Sequence, residues 1–191
     1  MWGSNLAVTN DSPVCVFFTV LCCIALMIDA VSSQALSQRL MSLPASHMKL
    51  SEAYRLVLYI FAHSGWPHLC NNSALFLIVG TGLERRFGSV GLEKVIVLSA
   101  VGVGLMNFAL SSTALVGASG VVFAFIFLRA SLDATAGEVP VSFLLVGFFW
   151  SAKELMSTEA NVSHAAHLAG GVVGAALGLR KDWRRAAGLA E

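Results

Sequence analysis

The sequence predicts an all-α membrane protein, one bundle of about six apolar helices with almost nothing outside it. Three observations predict this class. Of 191 residues, 57% are hydrophobic and only 12% are charged, and the mean hydropathy is +0.76, which is more apolar and less charged than soluble domains. Apolar segments of crossing length recur from residue 14 to residue 179. At roughly 20 residues per crossing, a chain this short holds about six and leaves no room for a soluble appendage.

Residues 14–32 form the first expected crossing, behind a tail (1–13) with neither a basic run nor a small-residue cleavage site, so the segment reads as retained. From 33 to 65 the chain turns mixed, with Arg39, Pro44, Lys49, Glu52 and Arg55 interrupting apolar pairs. That is long for a loop and predicts short helices at the membrane interface. Crossings are then expected at 67–87, 92–110, 119–132, 140–151 and 163–179, with 181–191 as a second tail. The fourth is too short to cross alone. The uncharged SSTALVG run before it is therefore expected to dip into the membrane as a re-entrant loop.

Net charge is +1 and no basic run interleaves with aromatics, so nucleic acid is not an expected partner. Cys15, Cys22, Cys23 and Cys70 show no CxxC spacing and read as small core hydrophobes. Six crossings would gather Arg85, Arg86, Lys94, Arg129, Arg180, Lys181, Arg184 and Arg185 on one side, against Arg39, Lys49, Arg55 and Lys153 on the other. The positive-inside rule then places both termini in the cytoplasm. The short, arginine-poor first tail points to a bacterial inner membrane rather than an organelle.

Three polar groups interrupt apolar sequence, where they are costly: HSGWPHLCNN (63–72), Ser119 within GASG, and His164 with His167 in SHAAHLAGG. The six-crossing topology carries all three to the non-cytoplasmic half. Ser119 opens a helix, so its backbone N–H is among the free donors at the positive end of the dipole, where an oxyanion is welcome. Ala166, Gly170 and Gly174 make a flat strip at helical spacing around His167, against which the GASG helix can pack closely. That approach brings the Ser119 hydroxyl to a base, which a serine nucleophile needs at neutral pH. Asn72 shares a helix face with His68 and can donate to developing negative charge.

Each residue also has a plainer reading. Ser119 can be a small helix-contact residue, His167 a hydrogen-bonded core histidine, and Asn72 a polar cap. The two histidine pairs, His63/His68 and His164/His167, also allow a zinc or haem site or a transport bundle, although no carboxylate lies close to serve as a further ligand.

From Tyr54 to Arg180 the chain resembles the rhomboid intramembrane serine proteases. His63, His68 and Asn72 match the family's H-x4-H-x3-N. Gly117, Ser119 and Gly120 match G-x-S-G, and Ala166, His167, Gly170 and Gly174 match A-H-x2-G-x3-G. The turn Leu83-Glu-Arg-Arg-Phe-Gly-Ser89 is similar to E-x-R-x-G-S. The resemblance implies a rhomboid-like six-helix bundle of the compact bacterial type, with Ser119 as nucleophile and His167 as base. Asn72, His68 and the Ser119 N–H would be oxyanion donors, with His63, Gly117, Phe123, Gly170 and Gly174 in support. It implies no metal and no cofactor; the partners would be membrane lipid and the transmembrane segments of substrate proteins. Two departures stand out: Tyr54-Arg55 where the family often has Trp-Arg, and Phe123 where some members stack a tyrosine on the histidine. A non-catalytic relative that only binds transmembrane helices is the remaining alternative within the resemblance.

Overall fold

The computed structural model describes residues 12–33, 35–45, 47–133 and 164–186, with Val141, Leu145, Phe148, Phe149 and Ala152 between the last two stretches. The expected fifth crossing (140–151) therefore lies outside the described residues except at those positions, as do Lys153 and most of the first tail.

Helix α1 spans Pro13–Val31. Proline at its start presets φ and forfeits only an N–H that would be unpaired anyway. Ser12 makes no side-chain cap; the Glu84 carboxylate takes that place, accepting from the amides of Val14 (2.9 Å) and Cys15 (3.0 Å) and from Ser89 Oγ (2.8 Å). A negative group at a helix N-terminus answers both the free amides and the dipole.

The 33–65 segment contains short helical pieces, as expected: a π-turn Ser37–Met41, 3-10 turns Leu50–Glu52 and Tyr59–Phe61, and the four-residue helix α2, Arg55–Leu58. Side chains tie it down. Asp29, buried near the end of α1, accepts from Ser37 N (2.9 Å) and Ser37 Oγ. Arg55 donates to the carbonyls of Ser42 (2.9 Å) and Arg39, and Tyr59 OH donates to Ala100 O (3.0 Å).

Helix α3, Trp66–Leu110, contains both the second and third expected crossings, divided at Gly88, whose φ of 71° is non-helical. The reversal is tighter than the predicted 88–91 gap, because one glycine in the left-handed region suffices. Its first arm lies along α1 and α4: Phe76 stacks on Phe18 (4.2 Å between centroids) and meets Phe125 (5.0 Å). Its second arm returns, and Val103 abuts Gly120.

Helix α4, Ser119–Asp133, is buried along most of its length, as a helix apolar on all sides should be. Helix α5, His164–Leu179, makes its most extensive contact with α4. A side chain grown on Gly170 would meet Gly120 O at 2.2 Å, and one on Gly174 would meet Ala124 O at 2.1 Å. Helix α6, Lys181–Ala186, begins the segment that was expected to be tail.

Charges collect at the end of the bundle opposite the start of α4. Arg86 pairs with Asp133 at 2.7 Å, Arg129 also reaches Asp133, and Arg184 donates to Ser131 O (3.0 Å). Large apolar side chains face outward, among them Phe17, Ile24, Ile78, Leu98 and Val172. Among the described residues, α1 and α3 are long and apolar enough to cross a membrane. One expectation fails: Cys15 and Cys22 are buried, but Cys70 is exposed, because its side chain leaves α3 on the face away from Leu69 and Asn72.

Candidate active site

Ser119 is the first residue of α4. Val122 N bonds Ala118 O (2.9 Å), closing the first turn and leaving the amides of Ser119, Gly120 and Val121 without intrahelical acceptors. Part of the backbone of the preceding 111–118 segment is paired with neighbours. Leu115 and Leu43 exchange two hydrogen bonds (2.8 and 3.0 Å), Gly117 N donates to Tyr59 O (2.9 Å), and Asn107 Nδ2 donates to Thr113 O (3.0 Å). Irregular backbone inside an apolar bundle requires such partners.

His167 comes from the first turns of α5 and is 7% exposed. Its Nε2 lies 2.7 Å from Ser119 Oγ, hydrogen-bond distance for a nucleophile and its base. Phe123, one turn below Ser119, stacks on the imidazole with centroids 4.7 Å apart and rings 12° from parallel. A phenyl face thus fixes the ring plane without a hydroxyl. The Ala166/Gly170/Gly174 strip is what permits this approach, since the two backbones are nearly in contact. His164 is exposed at the start of α5, so only His167 of that pair meets Ser119.

Across the site stand His68 and Asn72, on adjacent turns of α3. A side chain on Gly117 would meet His68 Nε2 and Cε1 at 2.7 Å and Asn72 Nδ2 at 3.4 Å. Gly117 itself has φ +100°, so glycine is required there by backbone and by space. Asn72 is 3% exposed, and its Nδ2 has no hydrogen-bond partner among the described residues. A buried amide donor left unpaired is costly unless something transient accepts from it. His63 lies behind His68, rings T-shaped at 5.0 Å, with Nδ1 donating to Phe61 O (3.2 Å). Burial and the neighbouring His68 push its pKa down to about 4, against the bond to Phe61 O, which raises it.

Of the residues singled out in the sequence, Ser119, His167 and Phe123 form one cluster, and His68, Asn72, Gly117 and His63 form its facing wall. A groove of about 740 Å³ between α1 and the second arm of α3 shares none of them, and its walls are outward apolar side chains such as Phe17, Val20 and Val97. Sequence reasoning missed Ser64, whose N (3.4 Å) and Oγ (3.0 Å) both approach His68 Nδ1. A serine in a loop carries no signal by itself. It also passed over Glu84 as a cap for α1, although a carboxylate in an apolar helix signals an unusual partner.

An all-helical bundle with outward apolar faces and a serine–histidine pair at a helix terminus defines a class of membrane protein. Residues 50–181 match the rhomboid domain family. The chain is 30% identical over 172 residues to the rhomboid protease GlpG of Haemophilus influenzae, covering 86% of this chain and 88% of that one. It is 31% identical over 136 residues to rhomboid-related protein 1 of Caenorhabditis elegans and 27% over 145 residues to the chloroplastic rhomboid-like protein 11 of Arabidopsis thaliana. It spans 38% and 51% of those two chains. The chain belongs to the rhomboid family and is a membrane protein.

Proposed function

We propose that the protein is an intramembrane serine endopeptidase that cleaves transmembrane segments of other membrane proteins. The observation that carries this reading is the 2.7 Å approach of His167 Nε2 to Ser119 Oγ at the open N-terminus of α4. Ser119 Oγ–H donates to Nε2, which takes the proton as Oγ attacks the scissile carbonyl. The oxyanion is received by the Ser119 N–H, the Asn72 amide and His68. His167 returns the proton to the leaving amine, giving an acyl-enzyme, and then takes a proton from water that hydrolyses the ester. A helical peptide bond is hydrogen-bonded and shielded, so the substrate must unwind locally, which favours helix-breaking residues near the cut.

The membrane domain in this reading is a six-crossing bundle over 14–180, flanked by short tails, with the 111–118 segment dipping below the surface. Six arginines at the end of the bundle opposite Ser119 (Arg85, Arg86, Arg129, Arg180, Arg184, Arg185) support an orientation with that end, and both termini, in the cytoplasm of a bacterial inner membrane. The test is labelling by a fluorophosphonate probe in detergent. Wild type should label and cut a transmembrane substrate, insensitive to chelators, while Ser119→Ala and His167→Ala do neither. Folded wild type that takes no probe and cuts nothing would leave the helix-binding relative; activity abolished by chelation and spared in Ser119→Ala would leave the metal bundle.

A further inference from the structure

We propose that Ser64 is a positioning residue that holds His68 in the tautomer carrying its proton on Nε2. Its catalytic consequence rests on the protease reading above; the tautomer itself does not. Ser64 stands one residue before the Gly65 cap of α3, and His68 lies in the helix's first turn. The Ser64 N–H donates to His68 Nδ1 at 3.4 Å, and Ser64 Oγ lies 3.0 Å from the same atom. A backbone N–H can only donate, so Nδ1 must present a lone pair. Neutral imidazole holds a single proton, which is therefore on Nε2.

That nitrogen faces the site, 2.7 Å from where a Gly117 side chain would start. Nε2–H there is a donor to an oxyanion. The opposite tautomer would set two N–H groups against each other at Ser64 and turn a lone pair toward the developing charge. The edge of His63 against the ring, 5.0 Å between centroids, restricts rotation but does not select the tautomer; the Ser64 N–H, a donor on Nδ1, does.

Ser64 is exposed, and its N–H survives substitution, so water can partly replace the hydroxyl. Ser64→Ala should therefore slow fluorophosphonate inactivation roughly tenfold, well short of the 100-fold or more that follows loss of an oxyanion donor. The loss should fall on the maximal inactivation rate, with the probe's half-saturating concentration unchanged, and Ser64→Thr should restore it.

The direct measurement is nitrogen NMR of 15N-histidine protein in detergent micelles, the His68 signals assigned by their loss in His68→Gln. Wild type should show an unprotonated Nδ1 and a protonated Nε2, and Ser64→Ala, which keeps the 3.4 Å N–H donor but loses the closer hydroxyl at 3.0 Å, a reduced excess of that tautomer. A protonated Nδ1 in wild type overturns the proposal. So does slowed labelling in Ser64→Ala with an unchanged tautomer. If wild type shows the expected tautomer yet takes no probe, the protease reading fails while the assignment of Ser64 to the tautomer stands.

Discussion

Adding one methyl group at successive turns of α5 should damage chemistry and stability in different proportions. Side chains on Gly170, Gly174 and Gly178 would lie 2.2, 2.1 and 3.0 Å from the carbonyl oxygens of Gly120, Ala124 and Leu128, where ordinary contact begins at 3.4 Å. Backbone cannot rotate away, so at the first two positions α5 must move off α4 by roughly 1 Å, a strain costing about 1–3 kcal/mol. Gly170 lies one turn from His167, and Gly178 lies three turns away, about 16 Å along the axis. Displacement at Gly170 carries the imidazole with it, stretching the 2.7 Å contact to Ser119 Oγ; a misplacement near 1 Å is worth roughly 100-fold in rate. Gly178→Ala also meets Ser131 Cβ at 2.5 Å, but can tilt the far end while His167 stays in place. Probe-labelling rate and thermal midpoint, measured on the same detergent preparations, should show Gly170→Ala losing the most rate and Gly178→Ala losing mainly midpoint. Activity that falls in step with the midpoint across all three, regardless of distance from His167, would refute the reasoning.

Asn72→Ala should lower kcat roughly 100-fold with KM nearly unchanged, because in the proposed mechanism its Nδ2, unpaired among the described residues, donates to the oxyanion; cleavage kinetics check it. Glu84→Gln should destabilise by about 2 kcal/mol while sparing labelling at low temperature, since an amide offers weaker acceptance to the Val14 and Cys15 amides and turns a donor toward them. His63, neutral when folded and pushed down to about 4 from the usual histidine value of 6.5, binds fewer protons than its unfolded counterpart between those values. Its contribution is therefore present above about pH 6.5 and lost as pH falls toward 4, by at most about 3 kcal/mol. Thermal midpoints from pH 7.5 to 4.5 should fall more steeply in wild type than in His63→Gln.

Polar residues placed in apolar sequence advertise themselves, because the membrane makes them costly without partners. Ser119, His167, His68 and Asn72 were legible for that reason, as was the small-residue strip, whose spacing follows directly from helical periodicity. The short turns in 33–65 were foreseen from their mixed composition. The single-glycine reversal at Gly88 was foreseen only as a longer gap, since a φ near +71° is decided by how the two arms pack.

Composition, hydropathy and the order of motifs along the chain determined the class of fold, the residues with chemical potential and their pairing, because these depend on local periodicity and on the cost of burying polar groups. The tertiary structure decided what depends on distance between remote segments. It set the reach of Glu84 to the start of α1, 70 residues away for Val14, and the bond between Leu43 and Leu115 that supports the loop before Ser119. It also made Gly117 a position where His68 fills the space of a side chain. No local pattern encodes such contacts. They follow from which faces meet once the helices pack.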